Sequence, residues 1–241
     1  MKKKILIGLL AVAAGIAAWR LSSPREFFYA GTVEATEVDV SARVASPVAA
    51  YEVFEGAEVS EGQTLVRLSG EDIRLAKEQT ERDFQRAKKL YEGGSVSQEV
   101  FDRLRFLRDD AALRAGWCEV RSPLAGTVLR VYHEAGEQAM PGTKLLTLAD
   151  LREVWAYVYV PQPLLARISL GQEVEGLLPE TGRALKGTIR FIRSEAEFTP
   201  KNVQTREERT RLVYGVKVVF PNPERVLKPG MTVEVRLPRG K

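Results

Sequence analysis

Apolar positions along this chain alternate, change period, and alternate again, and those changes lay out its elements. Around Val38, Val40, Ala42 and Val44 every second residue is apolar, the spacing of a half-buried strand. From Glu71 the spacing becomes three and four. Ile73, Ala76, Thr80, Phe84, Ala87 and Tyr91 then form one stripe on a helix of about six turns. Glu71 and Asp72 sit where the helix dipole favours anions, and Glu92-Gly93-Gly94 supplies the glycine that ends helices. Ser97 predicts an N-cap for a second helix, with the stripe Val100, Leu104, Leu107 and Ala111. Two helices of similar length joined by a tight glycine turn predict an antiparallel hairpin over residues 71–117. Phe101, Phe106, Leu90 and Leu113 fall off or beside the stripes and leave apolar area for another partner. Trp117 and Cys118 return the chain to β structure.

The β segments flanking this hairpin are copies of one unit, 80 residues apart. Aligned without gaps, Val40–Gly70 and Val120–Asp150 are identical at Val40/Val120, Ala45/Ala125, Val48/Val128, Gly56/Gly136, Gly62/Gly142, Leu65/Leu145 and Leu68/Leu148. Each copy runs as an apolar strand, a Glu-rich turn with glycine, then Gly-x-x-Leu-x-x-Leu. Two small β units that must pair to bury their apolar faces predict a single sandwich, with the helices carried as an insertion. That arrangement points to a spacer or adaptor rather than an enzyme.

After Asp150 the chain alternates again, strictly in Val154, Ala156, Val158 and Val160, until Pro161 and Pro163 stop it. Val174–Leu178, Gly187–Arg193, Leu212–Phe220 and Met231–Leu237 are further strand candidates separated by Gly, Pro and Asn. Leu164–Leu170 reads as a short helical turn. Five or more short strands predict a small antiparallel barrel. Thr199–Thr210 has no apolar period and reads as an exposed loop, and Phe27–Asp39 reads as a lead-in strand.

Composition narrows the chemistry. The hairpin segment 71–117 carries ten basic and ten acidic side chains, so its outer faces are solvated and its net charge is near zero. The formal charge of +4 includes Lys2, Lys3 and Lys4, and no basic patch with interleaved aromatics speaks for a nucleic-acid partner. One cysteine, Cys118, excludes a disulfide within the chain, and one histidine, His133, without nearby cysteines makes no metal site. No Gly-rich phosphate loop follows a strand, and no nucleophile–base pair assembles, so the chain reads as non-catalytic and without cofactor. At the N-terminus, Lys2–Lys4 precede the apolar run Ile5–Trp19 and Arg20. This is the pattern of an export signal. The run spans roughly 22 Å as a helix, so both readings stay open: cleavage after the small residues Ala17 and Ala18, or retention with snorkelling lysines and Trp19 at the interface. In either case the chain beyond about Leu21 lies outside the inner membrane.

The order of anchor, half β unit, helical hairpin, half β unit and small barrel resembles the membrane fusion proteins, or periplasmic adaptors, of the HlyD type. In that family the split unit is a lipoyl-like domain. Val40-Ser-Ala-Arg-Val-Ala-Ser-Pro-Val48 and Val120-Arg-Ser-Pro-Leu-Ala-Gly-Thr-Val128 are similar to it, as Leu227-Lys-Pro-Gly-Met-Thr-Val-Glu-Val235 is to the family's last barrel strand. The segment Glu197–Thr205, with Arg209 and Val213-Tyr214, resembles the branch that works with ABC exporters. At the hairpin tip Arg86, Leu90 and Ser97 match the spacing shown by adaptors that dock on TolC-type outer-membrane channels. The competing reading of those three is a solvated arginine, a stripe-edge leucine and a helix cap.

The resemblance implies a mainly β protein: a split lipoyl-like β-sandwich interrupted by an antiparallel helical hairpin and followed by a small antiparallel β-barrel. The organisation expected is a signal or anchor with linker over 1–24, a lead-in strand over 25–38, sandwich halves over 39–70 and 118–150, the hairpin over 71–117 and the barrel over 151–241. It implies a periplasmic protein associated with the inner membrane through its N-terminal segment. Its partners would be an inner-membrane transporter, ABC rather than RND, a TolC-like channel, and further copies of itself in a hexamer. The hairpin is short, and the membrane-proximal domain of many relatives is absent or reduced to Phe27–Asp39, which suits a transporter standing low above the membrane. Two rivals remain besides an enzyme. A biotin or lipoyl carrier needs a lysine on the turn between the halves, whereas Lys144 follows Gly142 at the position equivalent to Thr64. An anchored scaffold that binds envelope partners without forming a conduit shares the same fold.

Overall fold

The computed structural model describes residues 28–198 and 212–237. The expected anchor over 1–24, the loop Thr199–Thr210 and Arg209 lie outside the described residues. Among the described residues no helix is long and apolar enough to cross a membrane. The chain divides into two units. One is assembled from Ala35–Val154 and Asn222–Lys228, the other from residues up to Glu34, Trp155–Pro221 and Pro229 onward.

The first unit holds the repeats. Its strands are the far part of β1 (Phe28–Ser41), then β2 (Ser46–Tyr51), β3 (Glu58–Val59), β4 (Thr64–Leu68), β5 (Glu119–Arg121), β6 (Gly126–Val131), β7 (Gln138–Ala139) and the start of β8 (Lys144–Pro161). One sheet has the order β5-β4-β2-β7; the other, within this unit, runs β1-β8-β6-β3. The short strands are exchanged between repeats. β7 of the second copy pairs with β2 of the first (Ser46↔Ala139), and β3 of the first pairs with β6 of the second (Val59↔Gly126). These registers map onto each other under the 80-residue shift.

The loop hydrogen bonds map the same way. Val48 N–H donates to Glu137 O (2.8 Å) as Val128 N–H donates to Ala57 O (2.9 Å). Ala42 N–H donates to Thr143 O as Ser122 N–H donates to Gln63 O. Gly62 and Gly142, at φ +78° and +89°, take the same left-handed turn. The sandwich is therefore quasi-twofold, and neither half closes alone.

Its core explains the identities. Val40, Val48, Leu65 and Leu68 are buried in one cluster with their equivalents Val120, Val128, Leu145 and Leu148. Each such side chain taken out of water contributes roughly 1.5–3 kcal/mol. Four of the seven identical pairs are core and two are turn glycines, so the repeat is preserved where geometry demands it.

The hairpin comprises α1 (Glu71–Glu92) and α2 (Gln98–Gly116), joined to β4 and β5. Only Phe84, Ala87 and Ala111 are buried along both helices. The seam is aromatic. Phe101 lies 5.5 Å from Phe84 and stacks on Tyr91 at 4.8 Å, centroid to centroid, and the Arg108 guanidinium sits 4.0 Å over the Phe84 ring. Two sequence expectations are corrected here. Phe101, expected off the stripe, packs inside the hairpin, while Leu107, expected on it, is exposed.

The second unit is a closed barrel. Beyond β8 come α3 (Gln162–Leu165), β9 (Glu173–Leu178), β10 (Arg183–Ile192), β11 (Glu197–Phe198), β12 (Leu212–Pro221) and β13 (Thr232–Arg236). Six strands close in the order β8-β12-β10-β9-β13-β1-β8, and β11 extends beside β12. The first half of β1 pairs with β13 (Phe28↔Arg236, Thr32↔Thr232), so it is the sixth barrel strand where the sequence suggests a separate lead-in. The interior is filled by Val33, Ala156, Val158, Ile189, Val218, Phe220 and Val235. Phe220 fits because Gly176 and Gly187 face it, and a Cβ on either would come within 2.6 Å of its ring.

Candidate functional site at the hairpin tip

The turn between α1 and α2 is fixed by backbone bonds. Ser95 N–H donates to Leu90 O (2.7 Å) and Gly94 N–H donates to Tyr91 O (2.9 Å), the two bonds of a Schellman motif. Gly94 takes φ +72°, which only glycine adopts without strain. Ser97 then opens α2. Its Oγ accepts from Val100 N–H at 3.4 Å, so the expected N-cap is present, though long. Glu99 in the first turn and Arg114 in the last complement the helix dipole.

All three residues singled out in the sequence lie at this closed end. Arg86 and Leu90 are one turn apart on α1, and Ser97 begins α2. The Arg86 guanidinium is ion-paired with Asp83 on its own helix, and both ends of the pair reach solvent. Leu90 is 48% exposed although apolar. Removing its exposed half from water against a partner would be favourable. The tip therefore offers one arginine, one apolar side chain and a backbone turn held by two hydrogen bonds.

Sequence reasoning misses Arg108 as a seam residue. A guanidinium lying on a ring behaves as a stripe member, and only its register with Phe101, Leu104 and Ala111 hints at that role. Further exposed apolar residues, Leu75, Phe106 and Leu113, lie along the helices away from the tip.

The remaining chemistry-bearing residues are engaged structurally. Lys144 Nζ lies 2.6 Å from Asp39 Oδ2, and Thr147 Oγ1 donates to Asp39 Oδ1 at 2.6 Å. The bonds from Lys144 and Thr147 hold the Asp39 carboxyl below its ordinary range, and the bond to Asp39 raises the Lys144 ammonium. His133 Nδ1 sits 2.7 Å from Glu137, whose pKa is lowered chiefly by that bond. Cys118 is buried, and burial pushes its thiol up. A groove of about 570 Å³ runs between Val38–Arg43 and Gly116–Arg121, but its carboxylates, Asp39 and Glu119, are paired with Lys144 and Arg121. Among the described residues no group of three or more His, Cys, Asp or Glu could hold a metal ion.

A split quasi-twofold sandwich with a hairpin inserted in it, followed by a six-stranded barrel, is a fold this chain shares with solved structures that include a membrane fusion protein. Residues 153–241 match the family model described as the CusB-like, β-barrel domain. Among solved structures the chain is similar to a MacA–MexA chimeric protein containing the Pseudomonas aeruginosa MexA α-hairpin domain, with TM-score 0.67 and 18% identity over 90% of this chain and 83% of that one. It is also similar to the membrane fusion protein Spr0693 from Streptococcus pneumoniae R6, with TM-score 0.58 and 21% identity over 89% of this chain and 100% of that one. At these identities the likeness is one of fold.

Two curated relatives are closer in sequence. A UPF0194 membrane protein of Acidithiobacillus ferridurans is 39% identical over 120 residues, covering 48% of this chain and 35% of the relative. The UPF0194 membrane protein YbhG of Salmonella arizonae is 37% identical over 118 residues, with the same coverage. The chain spans about a third of the length of these relatives in the matched region.

Proposed function

We propose that this protein is a periplasmic adaptor of an efflux or secretion system, linking an inner-membrane transporter to a TolC-like outer-membrane channel and forming part of the export conduit. The observation that carries the reading is the hairpin: a solvated rod, held by both repeats of one rigid sandwich, whose closed end presents Arg86, Leu90 and Ser97. The chain acts mechanically. The barrel and N-terminal segment face the transporter at the inner membrane, sandwiches associate side by side, and hairpins of neighbouring copies pack through Leu75, Phe106 and Leu113. A hexamer is the proposed assembly, by resemblance to the family. The transporter is proposed to be of the ABC type, on the resemblance of Glu197–Thr205 and Val213-Tyr214.

A photoreactive residue at Leu90, incorporated in living cells, tests the tip. An adduct with an outer-membrane channel protein is expected. Capture of a different envelope protein would replace the conduit with the scaffold reading. Affinity purification of the intact chain from native membranes identifies the transporter, and co-purification of an RND rather than an ABC protein would overturn that assignment.

A further inference from the structure

Antiparallel pairing runs β1–β13–β9–β10–β12, so the start of β1, the end of β13, the start of β9, the end of β10 and the start of β12 share one rim of the barrel. That rim carries Leu170, three residues before β9, Phe191, the penultimate residue of β10, and Leu212, the first of β12. They are 65%, 48% and 53% exposed. Among the barrel-unit residues whose side chains the structure describes, these three are the exposed large hydrophobics. Arg190, next to Phe191 in the chain, is exposed.

The chain enters the barrel at the same rim, through Phe28. Eight residues, Arg20–Phe27, separate Phe28 from the apolar run Ile5–Trp19. Fully extended, they reach no more than about 30 Å. On the reading that the apolar run sits in the inner membrane, the rim is tethered within that distance of a bilayer. Side chains with an apolar body, distributed along one edge together with an exposed cation, match the boundary between headgroups and acyl chains.

We infer that this rim docks on the lipid surface, with Leu170, Phe191 and Leu212 inserted at the headgroup boundary and Arg190 facing anionic headgroups. The barrel is then held against the membrane by its own surface as well as by the N-terminal tether, which fixes its orientation.

The inference rests on the membrane reading of the N-terminal run, and the test separates the two. In the full-length chain with Cys118→Ala, an environment-sensitive fluorophore is placed in turn at Leu170→Cys, Phe191→Cys, Leu212→Cys, Phe54→Cys (exposed in the sandwich) and Ala13→Cys (in the apolar run). Each is reconstituted with phosphatidylcholine–phosphatidylglycerol vesicles carrying a spin label near the headgroup or, for Ala13→Cys, deep in the acyl chains. The three rim positions are expected to lose about half of their emission while Phe54→Cys keeps its own. Quenching at Ala13→Cys without quenching at the rim would overturn the inference and leave the tether in place, assigning the rim to a protein partner. Quenching at the rim without quenching at Ala13→Cys would sustain the docking surface and refute the tether. Quenching at neither overturns both.

Discussion

The sandwich and the hairpin are contiguous in sequence and opposite in construction. The sandwich buries Val40, Val48, Leu65, Leu68 and their four equivalents in one cluster, with both repeats exchanging a strand. The hairpin buries Phe84, Ala87 and Ala111, and carries intrahelical ion pairs on its surface such as Arg114–Asp110 (2.9 Å) and Arg105–Asp102 (3.2 Å). Exposed pairs of this kind contribute little, typically under about 1 kcal/mol each. Stability is therefore concentrated where the chain is symmetric. On the proposed function, reach and recognition fall where packing is thin.

That contrast can be broken most severely in the sandwich. Leu145→Ala removes a fully buried side chain shared by both repeats and should cost about 2–5 kcal/mol, read as a lowered midpoint in urea unfolding. Phe84→Ala should cost about 3 kcal/mol within the hairpin alone, because it deletes the ring that Phe101 and Arg108 both use. The expected signature is loss of helical circular dichroism and faster hydrogen exchange over 71–116, with the sandwich amides still protected. Simultaneous loss of protection in the sandwich would show that the two regions fold as one cooperative body.

Smaller effects sharpen the comparison. Ser97→Ala should cost only about 0.5 kcal/mol, at the low end for caps, since the bond to Val100 N–H is long; Ser97→Asp should restore it. In the sandwich, Asp39 has a depressed pKa owing first to its bond with Lys144. Its contribution is present above the unfolded value of about 3.9 and is lost as pH falls through the lower folded value. Asp39→Asn should therefore flatten the acid side of the stability profile and leave the neutral side sloped as before. An acid limb as steep as in the parent chain would show that the Lys144 pair is not what sets it. Charge reversal at Arg86 should change stability least, because it breaks one exposed pair with Asp83.

Much of this division is legible in the sequence. The 80-residue repeat is visible because its identities fall on core positions and turn glycines, which tolerate few substitutes. The barrel strands are visible because Val154–Val160 and their successors alternate. The sixth strand is not legible as a barrel member, since Phe28–Ala30 and Gly31 show no alternation and only Val33 of that stretch is fully buried. What closes the barrel there is the need of β13 for a partner, a tertiary demand that local pattern does not carry. The hairpin stripe misleads for a related reason: a guanidinium at Arg108 occupies a seam position by lying on Phe84, and hydrophobic periodicity counts it as polar. The tip residues come from a resemblance to the pattern of adaptors that dock on TolC-type channels, with no signal of their own in the periodicity. The structure adds that Ser97 caps its helix and that Leu90 is about half exposed.

Leu90 therefore tests the account most directly, because a charge there should leave the fold untouched and remove the function. In Leu90→Glu the urea midpoint should stay within about 0.5 kcal/mol of the parent while export through the assembled system is lost. Full export from a normally folded, normally localised Leu90→Glu protein would contradict the docking role of the tip.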